Sequence, residues 1–304
     1  MVDRELLKHP LLSKQELALF AATILWGITF LVTHIAVRYS GPLFFVGFRL
    51  MVASFMCGVI FGRSLKGVTV YEIFAGIAIG LGMFLGYGLQ AMGLQTILSS
   101  QSAFITALYV PMVPILQWIV FKKPPRLACW IGIVFAFIGL ILVSGQKPGS
   151  FDFSKGEILT LLGALAIAGE IILIGIFANK VDSRRVTIIQ LFFGGLFSFF
   201  CMPLVGERIP EFSWIWLSIG AGLALMSAII QLAMNWAQKS ISPTRATLIY
   251  AGEPVWAGIV GRLAGERLSS LALLGGMLIL IGIIVAELQP SQWRKKDKVI
   301  KKTD

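Results

Sequence analysis

The chain has 304 residues, of which 57% are hydrophobic and only 13% charged, whereas a soluble domain carries about 45–50% apolar and about 25% charged residues. That balance excludes an ordinary soluble fold and points to a polytopic membrane protein. The net charge of +11 is gathered in loops and in a basic tail, where it sets membrane orientation, so no nucleic-acid partner is expected.

The charged segment 1–16 precedes a first apolar span at about Leu17 to Val37. This run is too long for a signal-peptide core and has no clear small-x-small cleavage site, so it is expected to remain as a helix. A second span, about Leu43 to Phe61, contains Arg49. The stretch from Ile73 to Phe121 has no charge and is far longer than the roughly 20 residues of one crossing. It must fold back, and the polar cluster Gln95 to Ser102 marks the turn between spans three and four.

Span five, about Leu127 to Gly145, follows the KKPPR connector. A linker-like segment, Gln146 to Lys155, then divides the chain almost in half. Span six, about Ile158 to Asn179, carries Glu170; span seven is about Val186 to Val205 and span eight about Phe212 to Gln238. The closing hairpin, Ala246 to Ala286, supplies spans nine and ten around the connector Gly265-Glu266-Arg267.

The expected fold is an all-α integral membrane protein with ten transmembrane helices in two inverted five-helix repeats. Its parts are segment 1–16, a first repeat 17–146, a linker 147–157, a second repeat 158–288 and a basic tail 289–304. Most of the 26 basic residues fall on the side of the termini in this layout. Only Arg38, Lys147, Lys155, Arg208, Arg262 and Arg267 fall on the other, so both termini are expected in the cytoplasm. Five spans per half force the halves into opposite orientation. Laying Gln90 to Val143 on Ala233 to Ala286 without gaps matches Pro111 with Pro254, Gly132 with Gly275 and Gly139 with Gly282.

The pattern ILWGITFLVTHIAV, then Pro42 and FFVGFRL, with EPVWAGIVGRLAGERLSSLALLGGMLILIGIIV in the second half, resembles the EamA-type domain of the drug/metabolite transporter superfamily. The resemblance spans about Leu17 to Glu287. It implies a ten-helix carrier, typically a bacterial inner-membrane exporter of amino acids or related metabolites. Two departures weaken any transfer of substrate class: Lys122-Lys123-Pro124 stands where the second repeat has Gly-Glu-Arg, and Glu170 falls at the repeat position of Gly27.

Polar groups inside spans mark the candidate site, because a carboxylate in hydrocarbon needs a partner or a wet cavity. Helix rise puts Glu170 and Glu253 at one level, about 13 Å into a hydrocarbon core about 30 Å thick, with Arg49 at about 20 Å. Arg49 is long enough to reach either acid. These three are candidates for substrate or proton binding, against the plainer reading of ion pairs and helix-locking hydrogen bonds. Tyr87, Gln90, Thr106, Tyr109, Gln231, Asn235 and Tyr250 are further cavity candidates, since an unpaired polar group there is costly. Pro111 and Pro254 are candidate hinges that free the carbonyls of Ala107 and Tyr250. The glycines of span three (76, 80, 82, 86 and 88) read as close helix packing, and His34 as structural.

Cys57, Cys129 and Cys201 lie in apolar runs and suggest neither a disulfide nor a metal. No cofactor is expected, and the partners are a small-molecule substrate, a candidate coupling proton and membrane lipid. The leading reading is a secondary active transporter working by alternating access. A channel or lipid scramblase is the alternative, and a membrane-embedded enzyme lacks both a nucleophile beside a base and an HExxH pair.

Overall fold

The computed structural model describes residues 13–122, 127–144 and 153–287. Segment 1–12, most of the KKPPR connector, most of the linker and the basic tail lie outside the described residues. Within them the chain forms twelve α-helices and no strand. The first half contains α1 (Lys14–Ala36), α2 (Pro42–Phe61), α3 (Val70–Gly93), the short pair α4 (Ser99–Thr106) and α5 (Tyr109–Phe121), and α6 (Leu127–Val143). The second half contains α7 (Lys155–Phe177), α8 (Ser183–Cys201), α9 (Trp214–Ala237), the short pair α10 (Pro243–Tyr250) and α11 (Glu253–Leu263), and α12 (Ser270–Glu287).

Among the described residues, seven segments are long and apolar enough to cross a membrane: α1, α2, α3, the α4–α5 pair, α7, α8 and α9. Helices α6 and α12 are apolar but shorter. Large apolar side chains such as Phe55, Phe74, Phe137 and Ile284 are exposed on the flanks, as expected of surfaces that face lipid.

Each half opens on the same local signal. In Ser13-Lys14-Gln15-Glu16 and Ser154-Lys155-Gly156-Glu157 the serine side chain accepts from the glutamate N–H, and the glutamate carboxylate takes the serine N–H. Such a reciprocal box satisfies two donors that the first turn would leave unpaired. The packing repeats as well: α3 lies on α7 and α8 as α9 lies on α1 and α2, while α2 meets α8 and α6 meets α12.

Spans four and nine differ from the single, proline-interrupted helices expected. Each is two short helices, broken at Ala107–Leu108 and at Ala251–Gly252, ahead of the proline. Pro254 sits in the first turn of α11, where an N–H has no intrahelical partner to lose. The Ala107 carbonyl is not free, because the tighter turn lets it accept from the Val110 N–H at 3.1 Å. The fold-back between α3 and α4 is also shorter than the polar cluster suggests, since Ser99 to Ser102 form the first turn of α4.

Close approach explains the glycines of α3. A side chain on Gly76 or Gly80 would collide with α8 at Ile189 and the Gln190 carbonyl, at 2.4 and 2.7 Å, and one on Gly86 would meet Ile167 of α7 at 2.7 Å. One glycine-rich helix thus seats two neighbours of the opposite repeat.

Candidate functional site

Where the two halves meet, the broken helix pairs and α1, α3, α7 and α9 enclose a buried polar centre. Glu170 of α7 and Glu253, the first residue of α11, are 0% and 1% exposed. The Glu253 Oε2 accepts from the Tyr109 hydroxyl at 3.0 Å, and the Glu170 Oε1 accepts from the Gln231 amide at 2.9 Å. The other oxygen of each carboxylate has no hydrogen-bond partner. Tyr87 and Tyr250 each interact electrostatically with both carboxylates, so the two acids share one set of neighbours.

The wall between them is aromatic. Trp26 stacks on Tyr109 (centroids 6.3 Å apart, 23° between planes) and meets Tyr250 and Tyr87 edge-on at 5.7 and 6.5 Å. The Arg49 guanidinium lies over the Tyr87 ring, 4.7 Å from its centroid, and donates weakly to the Thr33 hydroxyl at 3.4 Å. Arg49 forms no ion pair among the described residues, although Glu170 acts on it through space. The expected direct reach of Arg49 to a carboxylate is therefore replaced by a cation–π seat, with its Nε unpaired.

Behind Glu170 runs a chain of amides. Gln231 also donates to the Tyr87 hydroxyl at 3.0 Å and accepts from Gln190 at 2.8 Å; Asn235 donates to Gln190 and to Thr187, both at 3.1 Å. The chain follows α8 and α9 from the centre toward the α8 N-terminus, where Ser183 donates to the Asn235 carbonyl. Each saturated link makes the arrangement of Glu170 more specific.

Of the residues expected at the site, Glu170, Glu253, Arg49, Tyr87, Tyr109, Tyr250 and Gln231 gather around this centre. Asn235 belongs to the amide chain behind it. Gln90 and Thr106 bond to each other at 3.1 Å across α3 and α4. Trp26 and Gln190 were not among the expected residues. A polar amide in mid-span signals Gln190 as clearly as Gln231, while for Trp26 only the facing tyrosines reveal the role. His34 ties α1 to the end of α3 through the Leu94 carbonyl at 2.7 Å.

Carboxylates also fasten the ends of the bundle across the repeats. At one end Glu207, between α8 and α9, accepts from the Leu43 and Phe44 N–H groups of α2 at 3.0 and 2.6 Å. At the same end Glu266, between α11 and α12, accepts from the N–H and hydroxyl groups of both Ser99 and Ser100 at the start of α4. Burial alone would raise the Glu266 pKa, but these four donors together hold it below the ordinary carboxylate range. The opposite end is joined by Arg245 with Glu16 and by Arg185 with Glu72, the latter at 3.2 Å. Gly265 at φ 91° and Lys122 at φ 57° occupy matching positions after α11 and α5, so the two connectors share a left-handed turn despite their different sequences.

The family model for EamA-like transporters matches residues 13–145 and again 154–288. The chain belongs to the EamA-like transporter family. EamA relatives include an uncharacterized transporter of Archaeoglobus fulgidus, 26% identical over 275 residues and covering 90% of this chain and 86% of that one. The uncharacterized inner membrane transporter YedA of Escherichia coli is 26% identical over 288 residues, with 89% and 90% covered. A solved crystal structure aligns with a TM-score of 0.65 at 18% identity, over 90% of this chain and 96% of the other; it supports the fold alone.

Proposed function

We propose that this EamA-family transporter is a secondary active carrier that exports amino acids or related small metabolites by alternating access around the Glu170–Glu253 centre. In this reading the chain crosses the membrane ten times: each broken pair counts as one crossing, and α6 and α12 cross as well. The repeats are 17–146 and 158–288, inverted relative to one another, with linker 147–157 and both the 1–16 segment and the 289–304 tail in the cytoplasm. The membrane is a bacterial inner membrane, a reading supported by the likeness to YedA, an inner membrane transporter of Escherichia coli. Glu207 and Glu266 then lie at the periplasmic end.

The observation that carries the proposal is the pair of buried carboxylates, both from the second half, each with an unpartnered oxygen beside aromatic side chains that the first half largely supplies. An ionised acid without a counter-charge is costly in this setting, and a substrate ammonium or a coupling proton would relieve that cost. Arg49 and the tyrosines offer donors for a substrate carboxylate, and the backbone breaks beside Leu108 and Gly252 give each half a place to bend.

The test is counterflow in liposomes containing the purified protein and preloaded with an unlabelled amino acid mixture. Saturable uptake of label, stimulated from the opposite side, is expected, with Glu170→Gln and Glu253→Gln each reducing it at least about tenfold, the loss of one charge-assisted contact. If one of the acids carries the coupling proton, its Gln variant also flattens the pH profile of exchange. Flux without trans-stimulation would identify a channel instead, and full exchange in both variants would remove the centre as the site.

A further inference from the structure

A groove of about 660 Å³ lies on the flank of the bundle between α4, α11 and α12. It exists because α11 and α12, although consecutive, do not pack on each other: α11 lies on α1 and α4, and α12 on α6. Phe104 of α4 forms part of the wall and closes against Gly276 of α12, where a side chain would come within 2.7 Å of its ring. Val255, Ile259, Leu263 and Leu273 line the sides and are 42 to 83% exposed toward the membrane. Pro254, the neighbour of Glu253, also lines the groove.

The polar residues in the lining are Arg262, Ser100 and Glu266. Their charges are unequal in availability. The Glu266 carboxylate is consumed by the four donors of Ser99 and Ser100, whereas Arg262 is exposed and forms no ion pair among the described residues. An apolar slot open to hydrocarbon, with a free guanidinium at its connector end, has the complement of one chemical class: an acyl chain joined to an anionic phosphate.

We propose that this groove is a binding site for an anionic phospholipid, with one acyl chain between α11 and α12 and its phosphate on Arg262. The lipid lies against Pro254 and so touches the helix start that carries Glu253, which places lipid occupancy next to the polar centre without entering it. The inference rests on membrane embedding and on the geometry of the flank, and it stands or falls independently of the transport reading.

Native mass spectrometry of the full chain, exchanged into equal mixtures of phosphatidylglycerol and phosphatidylcholine, tests it. Wild type should retain phosphatidylglycerol preferentially, and Arg262→Gln should reduce that preference about fivefold, the worth of one interfacial arginine. Arg208→Gln, on the other connector at the same end, should leave it unchanged, while Val255→Trp, which fills the slot, should remove the retained lipid of either headgroup. The proposal is overturned if wild type holds the two lipids equally, if Arg208→Gln acts as strongly as Arg262→Gln, if Val255→Trp still retains lipid, or if the retained species is a non-lipid amphiphile.

Discussion

Replacing Glu266 by alanine removes the acceptor of four donors while leaving the α11–α12 connector in place. Ser99 and Ser100 are 0% and 1% exposed, so their N–H groups cannot turn to water instead. Losing an N-cap acceptor costs about 0.5–2 kcal/mol, and stranding buried donors adds to this, so about 2–3 kcal/mol is expected after allowing for the half-exposed position of Glu266 itself. For a chain of this size that corresponds to a fall in Tm of about 3–5 °C, measured by intrinsic fluorescence in detergent. Glu266→Gln keeps one carbonyl acceptor but turns an NH2 toward the serines, and should fall between. The pH dependence has a definite sign. Because the folded-state pKa of Glu266 is lowered, its stabilisation is fully present above the unfolded carboxyl pKa and is lost as pH falls through the folded value. The Tm gap between wild type and Glu266→Gln should therefore narrow on acidification below the usual carboxylate range. A Glu266→Ala Tm within 1 °C of wild type at pH 7 would refute the clamp.

Three further outcomes are expected. A Gly27→Ala side chain would come within 2.6 Å of the Trp256 Cβ and 2.9 Å of the Glu253 carbonyl, so it should cost about 1–3 kcal/mol of overpacking, whereas Gly169→Ala, with nothing within 4 Å, should gain up to about 1 kcal/mol of helix propensity; thermal melts of the two should shift in opposite directions. Gln231→Leu strands the Gln190 amide, the Tyr87 hydroxyl and Glu170 together, and a loss of about 1–3 kcal/mol per stranded group should appear as a lower Tm. Trp26→Ala empties the space between three tyrosines and should cost about 3–5 kcal/mol, with loss of counterflow even at temperatures where the variant remains folded by circular dichroism.

The spans were largely legible because hydrocarbon leaves few choices: apolar runs near bilayer length become helices, and the ends of α2, α6, α9 and α12 fall within a few residues of those runs. Glu170, Gln231 and Tyr109 were legible for the same reason, since a polar side chain in such a run must find a partner. The exact position of a helix break was not, because Pro254 is compatible with either a kink or a helix start and the local turn decides between them. The partner of Arg49 was also hidden: an aromatic face and a carboxylate are equally good destinations for a long guanidinium, and only the packing of α3 beside α2 distinguishes them. In the sequence Glu266 stands out only through the Gly-Glu-Arg pattern, and its structural part is hidden because the two serines it holds lie 166 and 167 residues away.

The two ends of the bundle are fastened by different chemistry, and this has a consequence for how the molecule meets its surroundings. At the α2 and α4 end the fastening is carboxylate on backbone amide, at short range and partly sheltered. At the other end two arginines contribute, and the Arg245 side chain is 65% exposed, where ions at physiological strength screen charge beyond about 8 Å and compete for such pairs. Brine is therefore a one-sided tool: raising salt should loosen the arginine end while leaving the amide end nearly untouched. The two halves match one family model, yet their ends are held by contacts that respond differently to salt.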